Sequence, residues 1–493
     1  MVQLVAPSVT QQPASATIQP GQTAQICATF GGTVPMSVQF QRWDGSAWAQ
    51  YTDVSAINND AQCFPTPALA STDTGARFRV VAVNSAGQAA SDPVTVTVTS
   101  PELSTTTLVS VELDGGEPDY FSGQPSISAD GRFVAFTSAG VNLVPGVTHA
   151  RNHAYLRDLA SGITTLINQT TSGGESSHGV QDLQLSANGQ YALFTSFAND
   201  LVANDTNNYL DVFRRDLLAG TTERVTVFPS GSQLEDAGNG NFDARLAISG
   251  DGRFVTFIAA YDFAAGGTGV ETDNYYLYYR DMQTGITRLV DGTYASSPPG
   301  YVVISENGRY IAYLLNVGAP NPQTIWLYDT EKHLKVAGYT YEQPPYPAGQ
   351  RPGLSVSATG RFIAFAVNSV ELTGSTHDQI MVVDLEDPDH PMLASTGPTA
   401  AGDADSVYPR ISGDGRYVLF ETYAPNLTGG LATPFRRYSV VRDLVDGTTN
   451  IASIGMDGAP APLGTVNYGS HALSSDGKTV AFETSQVYAT PRP

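Results

Sequence analysis

A nine-residue pattern that recurs seven times constrains the fold of this 493-residue chain more than any other feature. In each copy a serine is followed two positions later by Asp, Asn or Thr, then by glycine, and soon by an alternating apolar run, as in "SADGRFVAF". The copies begin at Ser128, Ser186, Ser249, Ser305, Ser357, Ser412 and Ser474. Successive copies start 52 to 63 residues apart, and strand-rich units of that length predict a β-propeller or a related array of sheets.

The composition agrees with a nearly all-β protein and narrows its partners. Forty-eight glycines, thirty prolines and frequent alternation of Val, Thr, Tyr and Phe favour short strands joined by turns. A net charge of −22 argues against nucleic acid and against an anionic membrane surface as partners. No apolar run approaches the roughly 20 residues of a membrane helix, so membrane insertion is not expected.

Residues 1–100 lack the repeat and predict a β-sandwich. Short alternating segments are broken there by Pro-Gly, Asp-Gly and Asn-Ser turns. The region resembles bacterial immunoglobulin-like domains in its "PGQTA" turn, in Phe40 at the usual place of a core Trp, and in the ending Asp73–Gly87. The resemblance therefore implies a small immunoglobulin-like domain at this end of the chain.

The two cysteines of the chain, Cys27 and Cys63, both fall in this region. The resemblance places Cys27 on strand B and Cys63 on strand E of the same sheet, whereas antibody domains place their second cysteine on strand F. Facing positions on neighbouring strands are compatible with the Cα separation of a disulfide. Two buried free thiols are the alternative.

From Leu103 onward, each repeat unit predicts four strands. The nine-residue pattern supplies the turn and the second strand, segments such as "AYLRDL" the third, and segments such as "GITTLI" the fourth. Six third-strand segments accompany the seven turns, and Ser104–Gly115 looks like a fourth strand with no unit before it. We expect this segment to complete the last unit, which would close the ring and remove open sheet edges.

These units resemble the TolB-type, WD40-like propeller repeats of bacterial envelope proteins over about four fifths of the chain. The resemblance implies an all-β protein in which the immunoglobulin-like domain, residues 1–100, precedes a seven-bladed propeller, residues 103–493. It implies little about function, because this fold carries scaffolds, receptors, lyases and peptidase accessory domains.

The repeated Ser, Asp and Arg of "SADGR" are interpreted as structural, because a ring rarely needs one chemical group seven times. Ser and Asp are expected to bond the backbone of a tight turn whose glycine has positive φ. Function is expected where the copies differ, at the mouth of the central channel. Unrepeated residues predicted there are Tyr120, His178, Gln184, Asp243, Arg245, Tyr301, Arg351, Tyr408, Arg410 and His471. A channel that holds only water is the alternative.

The loop "NDTNNYLDVFRRD" of the second unit contains a run of oxygen ligands, Asp205, Asn207 and Asp211. Hard cations such as Ca²⁺ require several oxygens, and alternate loop positions can converge on one ion. The run is shorter than an EF-hand loop and lacks its closing Glu. The alternatives are therefore a calcium site and a capped polar turn.

Three of the seven histidines are predicted to share one patch. His149 and His153 of the first unit align with Asn207 and Asp211 of the second, and His178 lies on the loop that enters the second unit. Imidazoles can bind a transition metal or act as acid and base near neutral pH. Unrelated surface histidines are the alternative.

The first functional hypothesis is an exported, non-catalytic binding or scaffold protein, located in the periplasm, at the cell surface or outside the cell. The opening "MVQLVAPSVTQQP" has no basic or apolar segment typical of a signal peptide. One propeller face would bind a glycan or an envelope protein, and the 24 tyrosines suit sugar stacking. The predicted ligand-binding residues are Tyr120, His149, His153, His178, Arg245, Tyr408 and Arg410.

The second hypothesis is a polysaccharide lyase with its site at the channel mouth, because seven-bladed propellers host lyases that act on uronates. Such β-elimination requires a group that neutralises the uronate carboxylate and a base for the C5 proton. The candidates are His178, Tyr301, Tyr408, Arg410 and His471. A peptidase is not supported, because the sequence lacks a Gly-x-Ser-x-Gly elbow.

Overall fold

The computed structural model describes residues 4–18, 23–57, 61–67, 69, 73, 75–98, 106–228, 231, 233, 246–261, 271–295, 300–314, 323–341, 353–397, 400–428, 436–463, 470–484 and 487–491. The chain divides into two compact units, Met1–Leu103 and Ser104–Arg492. Helix is limited to the α-helix Val370–Thr373 and the 3-10 turn Pro425–Thr428 in these ranges. Neither is long or apolar enough to cross a membrane.

The first unit is built from two sheets around one apolar core. Its strands are Ser8–Gln11, Ala16–Ile18, Gln25–Gly31, Met36–Trp43, Trp48–Ile57, Gln62–Pro65, Ala76–Asn84, Gly87–Ala90 and Val94–Val98. The first, third and sixth form one sheet, and the other six form the second. Phe40 is fully buried, and its ring stacks between those of Phe64 and Phe78 at centroid distances of 5.4 Å.

Cys27 and Cys63 form a disulfide across the three-stranded sheet. They are directly opposed in the antiparallel pair of Gln25–Gly31 with Gln62–Pro65, and their Cα atoms are 4.0 Å apart. Cys27 alternates with the buried Ile26 and Ala28, so the bond lies on the outer face of this sheet. It therefore staples two neighbouring strands of one sheet and does not cross the core.

The second unit contains seven four-stranded antiparallel sheets in the described residues, numbered here in chain order. Sheets 1 and 2 comprise Ser122–Ile127, Phe133–Ser138, His153–Asp158, Ile163–Leu166; and Val180–Leu185, Tyr191–Ser196, Asp211–Asp216, Thr221–Arg224. Sheets 3 and 4 comprise Ala247–Ile248, Phe254–Tyr261, Glu271–Asp281, Ile286–Ala295; and Tyr301–Ile304, Tyr310–Leu314, Gln323–Asp329, Leu334–Tyr341. Sheets 5 and 6 comprise Leu354–Val356, Phe362–Val367, Gln379–Asp384, Asp387–Leu393; and Ser406–Ile411, Tyr417–Thr422, Tyr438–Asp443, Thr448–Ile451.

Sheet 7 joins the two ends of the second unit. Its strands are His471–Leu473, Thr479–Glu483, Val487–Pro491 and, as the fourth, Thr107–Leu108. Thr107 lies opposite Ala489 and Leu108 opposite Tyr488 in an antiparallel pair. The segment assigned from the sequence to the last unit thus takes the fourth-strand position there.

The seven repeated turns bond to one another in a closed ring. In each step a backbone N–H of one turn donates to a carbonyl of the next turn. The donor and acceptor pairs are Ala129 to Ala187, Asn188 to Gly250, Gly250 to Glu306, Asn307 to Ala358, Ala358 to Gly413, Gly413 to Ser475, and Asp476 to Ala129. The sheets therefore surround a common axis, which is the arrangement of a β-propeller.

The geometry of the repeated side chains explains why they recur. In the first turn, Ser128 Oγ donates to Asp130 Oδ1 at 2.6 Å and accepts from the N–H of Phe133. Gly252 has φ of 75°, and a Cβ there would lie 2.1 Å from the ring of Tyr191 in the preceding sheet. The repeated Arg and Asp pair with each other as Arg132–Asp158, Arg253–Asp281, Arg309–Asp329, Arg361–Asp384 and Arg416–Asp443. The pattern thus builds turns and the contacts between sheets.

Candidate functional site

The first strands of all seven sheets line a central cavity of about 460 Å³. The residues two positions before each repeated serine form one layer of its wall. They are Ser126, Gln184, Ala247, Val303, Ser355, Arg410 and Ala472. Arg410 is the charged member of this layer, and the cavity lining also includes two acids, Asp182 and Glu306.

Arg410 has no ion-pair partner in the described part of the chain. Its Nη1 donates to the carbonyl oxygen of its own neighbour Pro409 at 3.1 Å. Burial lowers the pKa of Arg410, and Tyr301 and Glu421 act against that shift through space. A guanidinium held in a partly desolvated wall without a carboxylate within ion-pair distance is a ready partner for an anionic ligand.

His471 borders the same cavity, although only 1% of its surface is exposed. Its Nε2 is 2.7 Å from the carbonyl oxygen of Tyr408, and its Nδ1 is 2.8 Å from Ser439 Oγ. A carbonyl only accepts, so Nε2 carries the proton and Nδ1 accepts from the serine. Burial, aided by Arg410, lowers the pKa of His471 to about 3. The ring therefore stays neutral and anchors the backbone of Tyr408, whose φ is 56°.

A buried ion pair supports the same region from the second and third strands of sheet 6. Glu421 and Arg437 are 3.0 Å apart, and their side chains are 0% and 4% exposed. Glu421 occupies the position of Thr137 and Thr195 in the first two repeats. This acid supplies negative charge near both Arg437 and Arg410.

The seven repeated turns, with their ring of backbone hydrogen bonds, form one end of the channel. The residues after the seven repeated serines are Ala129, Ala187, Gly250, Glu306, Ala358, Gly413 and Ser475. Glu306 is the large and acidic member of this set. Burial raises its pKa, and the hydroxyl of Ser475 acts in the opposite direction. The cavity thus has Arg410 in its wall and Glu306 at one end.

The other predicted mouth residues divide into three groups. Tyr301 and Gln184 line the cavity, and Gln184 Nε2 donates to the carbonyl oxygen of Leu246 at 2.6 Å. Tyr120 and His178 are exposed and do not belong to the described lining. Asp243, Arg245 and Arg351 lie outside the described residues. Of the residues predicted for elimination chemistry, Tyr301, Arg410 and His471 therefore border one cavity.

The histidines of the first unit meet at a carboxylate that the sequence did not indicate. His149 Nδ1 is 2.6 Å from Glu175 Oε1, and Nε2 of the fully buried His153 is 3.5 Å from Oε2. Although burial opposes the change, hydrogen bonds from Thr148 and His149 lower the pKa of Glu175 to about 2. His178 joins this group through its backbone, whose carbonyl accepts from Ser176 Oγ.

His153 also belongs to a network that recurs at the start of third strands. Asn168 Nδ2 donates to His153 Nδ1, and Asn168 Oδ1 accepts from the N–H of Ala154. In sheet 5, Ser395 Oγ donates to Gln379 Oε1 and accepts from the next N–H in the same way. The side chain of His153 thus has a structural role, and Glu175 lies beside its buried ring.

The acidic run of the second unit surrounds an arginine of the chain. Asp205 Oδ1 and Asp211 Oδ2 lie 3.1 and 3.6 Å from Arg224 Nη1, and Asn207 Nδ2 donates to Asp211 Oδ2 at 3.1 Å. Burial raises the pKa of Asp211 to about 6. Over the ranges described, no group of three or more His, Cys, Asp or Glu side chains is arranged to hold a metal. Calcium binding by this run stays a prediction.

Glu175, Arg224, Glu421 and Arg437 are the functional neighbours that sequence reasoning missed. A signal existed for Glu421, because extending the repeat alignment by one position shows an acid where two earlier copies have Thr. Glu175 carries no such signal, since it lies in a loop and contacts Thr148 from 27 residues away.

No protein-family model matches the chain, and no curated protein matches its sequence. The similar solved structures include β-propeller proteins. An oligogalacturonate lyase in complex with manganese is 13% identical, covers 79% of this chain and 93% of its own, and has a TM-score of 0.49. The β-propeller domain of the Trilobed protease from Pyrococcus furiosus is 11% identical, covers 75% and 95%, and has a TM-score of 0.44.

Proposed function

We propose that this chain is an exported, non-catalytic protein that binds an anionic glycan in the central channel. In this proposal residues 103–493 form a seven-bladed, TolB-type propeller, and residues 1–100 form an immunoglobulin-like spacer. The ligand class is a uronate-containing polysaccharide, whose carboxylate binds Arg410. The envelope-protein partner predicted from the sequence remains the alternative.

The guanidinium of Arg410, which has no ion-pair partner among the described residues, carries the proposal. The chain has a net charge of −22, yet this cation stands in the channel wall with no described carboxylate within ion-pair distance. A partly desolvated charge without a partner costs stability, and an incoming carboxylate offsets that cost through charge-assisted hydrogen bonds. Tyr301 in the same lining offers an aromatic surface to a sugar ring.

The geometry favours binding over elimination. A lyase requires a base that can reach the C5 proton of the sugar. Both ring nitrogens of His471 are occupied, and His178 is not part of the described cavity lining. Tyr408 is likewise absent from that lining, so the base would have to be Tyr301. The disulfide between Cys27 and Cys63 supports export, because such bonds persist in oxidising compartments.

Calorimetric titration of oligogalacturonates into the whole protein tests this function. We expect saturable binding to the wild type, and a loss of about tenfold or more in affinity for Arg410→Gln, since one charge-assisted contact is removed. Because the variant also removes an unpaired charge, its thermal midpoint should be equal to or higher than that of the wild type.

Arg436→Gln, at an exposed arginine of the same sheet region, is the matched control and should bind like the wild type. Absorbance by unsaturated uronate during incubation would favour the lyase hypothesis. If neutral and acidic oligosaccharides bind equally, or if Arg410→Gln binds as tightly as the wild type, the channel proposal is wrong.

A further inference from the structure

A second cleft, of about 370 Å³, lies between sheets 3 and 4, away from the channel lining. Its walls include the repeated ion pair Arg253–Asp281 and also Arg309, whose partner is Asp329. The acids Asp251 and Glu331 belong to the same lining. Three further residues of this cleft, Tyr279, Arg288 and His333, do not follow the repeat. The repeat therefore does not explain why these three side chains line the same cleft.

His333 occupies a position where the structure favours glycine. It lies in the turn between the third and fourth strands of sheet 4, with φ of 54°. The equivalent turns of sheets 1, 2, 3 and 6 have Gly162, Gly220, Gly285 and Gly447, with φ between 66° and 71°. A side chain with positive φ is strained, and such strain often marks a functional position.

Tyr279 and Arg288, which line the same cleft as His333, also depart from the repeat. Arg288 pairs in register with Tyr279, at positions that hold Thr165 and Leu156 in sheet 1. In sheet 2 the equivalents, Glu223 and Arg214, form an ion pair. At this pair of positions sheet 3 therefore has an exposed arginine opposite a tyrosine, a combination that sheets 1 and 2 lack.

The hydroxyl of Tyr279 contacts both His333 and Tyr328. Tyr279 Oη is 3.0 Å from His333 Nδ1 and is hydrogen-bonded to the hydroxyl of Tyr328, and the tyrosine ring is buried. When Tyr279 accepts from Tyr328 and donates to Nδ1, Nε2 carries a hydrogen that is available to a ligand. Within the described residues, no carboxylate lies at ion-pair distance from Arg288, whereas Arg253 and Arg309 are paired.

We propose that this cleft binds an oxyanion group, such as a sulfate, phosphate or carboxylate, through Arg288 and His333. Tyr279 acts as a positioning residue that sets the tautomer of His333. Arg253 and Arg309 surround the cleft but remain bound to their own acids. The site is distinct from Arg410, so the proposal does not depend on the function proposed for the channel.

Calorimetric titration with sodium sulfate, sodium phosphate and sodium acetate, at constant ionic strength, tests the site and separates the three anion chemistries. We expect at least one anion to bind the wild type saturably. Arg288→Gln should weaken that binding about tenfold or more, because it removes the cationic donor. Arg436→Gln, at an exposed arginine away from the cleft lining, should leave it unchanged.

His333→Gly separates function from fold. Glycine is the residue of the equivalent turns, so the variant should unfold at a slightly higher temperature while binding the anion several-fold more weakly. Tyr279→Phe should weaken binding less than Arg288→Gln does. If no anion binds at millimolar concentration, or if Arg288→Gln and His333→Gly both bind like the wild type, the site does not exist.

Discussion

The second unit places an arginine beside a histidine at two sites that differ chiefly in burial. At the channel, His471 is almost completely buried, and both of its ring nitrogens are bonded within the protein. At the cleft between sheets 3 and 4, His333 is exposed and has one bonded nitrogen. Arg410 and Arg288, their neighbours, have no carboxylate at ion-pair distance in the described residues.

The difference teaches what each histidine can do. Desolvation keeps His471 neutral, and its two bonds fix the carbonyl of Tyr408 and the hydroxyl of Ser439, so it supports the wall without titrating near neutral pH. His333 keeps a nitrogen for a ligand and holds a strained backbone instead. A histidine beside an arginine is thus structural when it is buried and available for binding when it is exposed.

The largest effect expected from this comparison is in acid. His471 has a folded pKa of about 3, below its unfolded value near 6.5, so it stabilises the fold above pH 6.5 and this contribution is lost as the pH falls toward 3. The loss over that range is about 5 kcal/mol at most. His471→Gln can keep both bonds without titrating, and its stability should fall less steeply below pH 6.5. Urea unfolding at a series of pH values measures this difference.

If the curve of His471→Gln coincides with that of the wild type throughout this range, His471 takes up a proton in the fold, and this account of the channel wall is wrong.

The next largest effect is expected at Glu421, the buried acid near Arg437 and Arg410. Glu421→Gln leaves Arg437 without its carboxylate in a desolvated site, and we expect the free energy of unfolding to fall by about 3–5 kcal/mol. Urea denaturation at neutral pH measures it. The double variant Glu421→Gln with Arg437→Met should be more stable than Glu421→Gln alone, because no uncompensated charge remains there. A double variant that is less stable than Glu421→Gln would contradict this account.

The all-β fold and its four-stranded sheets were predictable because their determinants are local and repeated. The serine of each turn bonds within five residues, as Ser128 does with Asp130 and Phe133. A glycine recurs where the aromatic ring of the preceding sheet packs, as at Gly252. Aligning the copies therefore located turns and strands without any knowledge of long-range contacts.

The candidate site was only partly predictable, because its contacts join distant parts of the chain. Arg410 was identified as an unrepeated residue near the mouth, and the structure places it in the cavity wall. His471 was grouped with it, but its bonds to Tyr408 and Ser439, 63 and 32 residues away, bury it. A sequence shows which residues break a repeat, whereas burial decides whether they meet solvent.

The smallest effect belongs to the repeated ion pairs, one of which, Arg253–Asp281, lines the cleft. Arg253 binds Asp281 through two hydrogen bonds of 3.0 and 2.8 Å, but its side chain is 40% exposed, so solvent screens the pair. Asp281→Asn can keep the turn bond to the N–H of Gln283 and should lower the free energy of unfolding by about 1 kcal/mol or less. The same substitution removes a negative charge from the cleft, so phosphate should bind there at least as tightly as to the wild type. A stability loss as large as that of Glu421→Gln would show that the exposed pairs are as important to the fold as the buried one, and the distinction between the two environments would then fail.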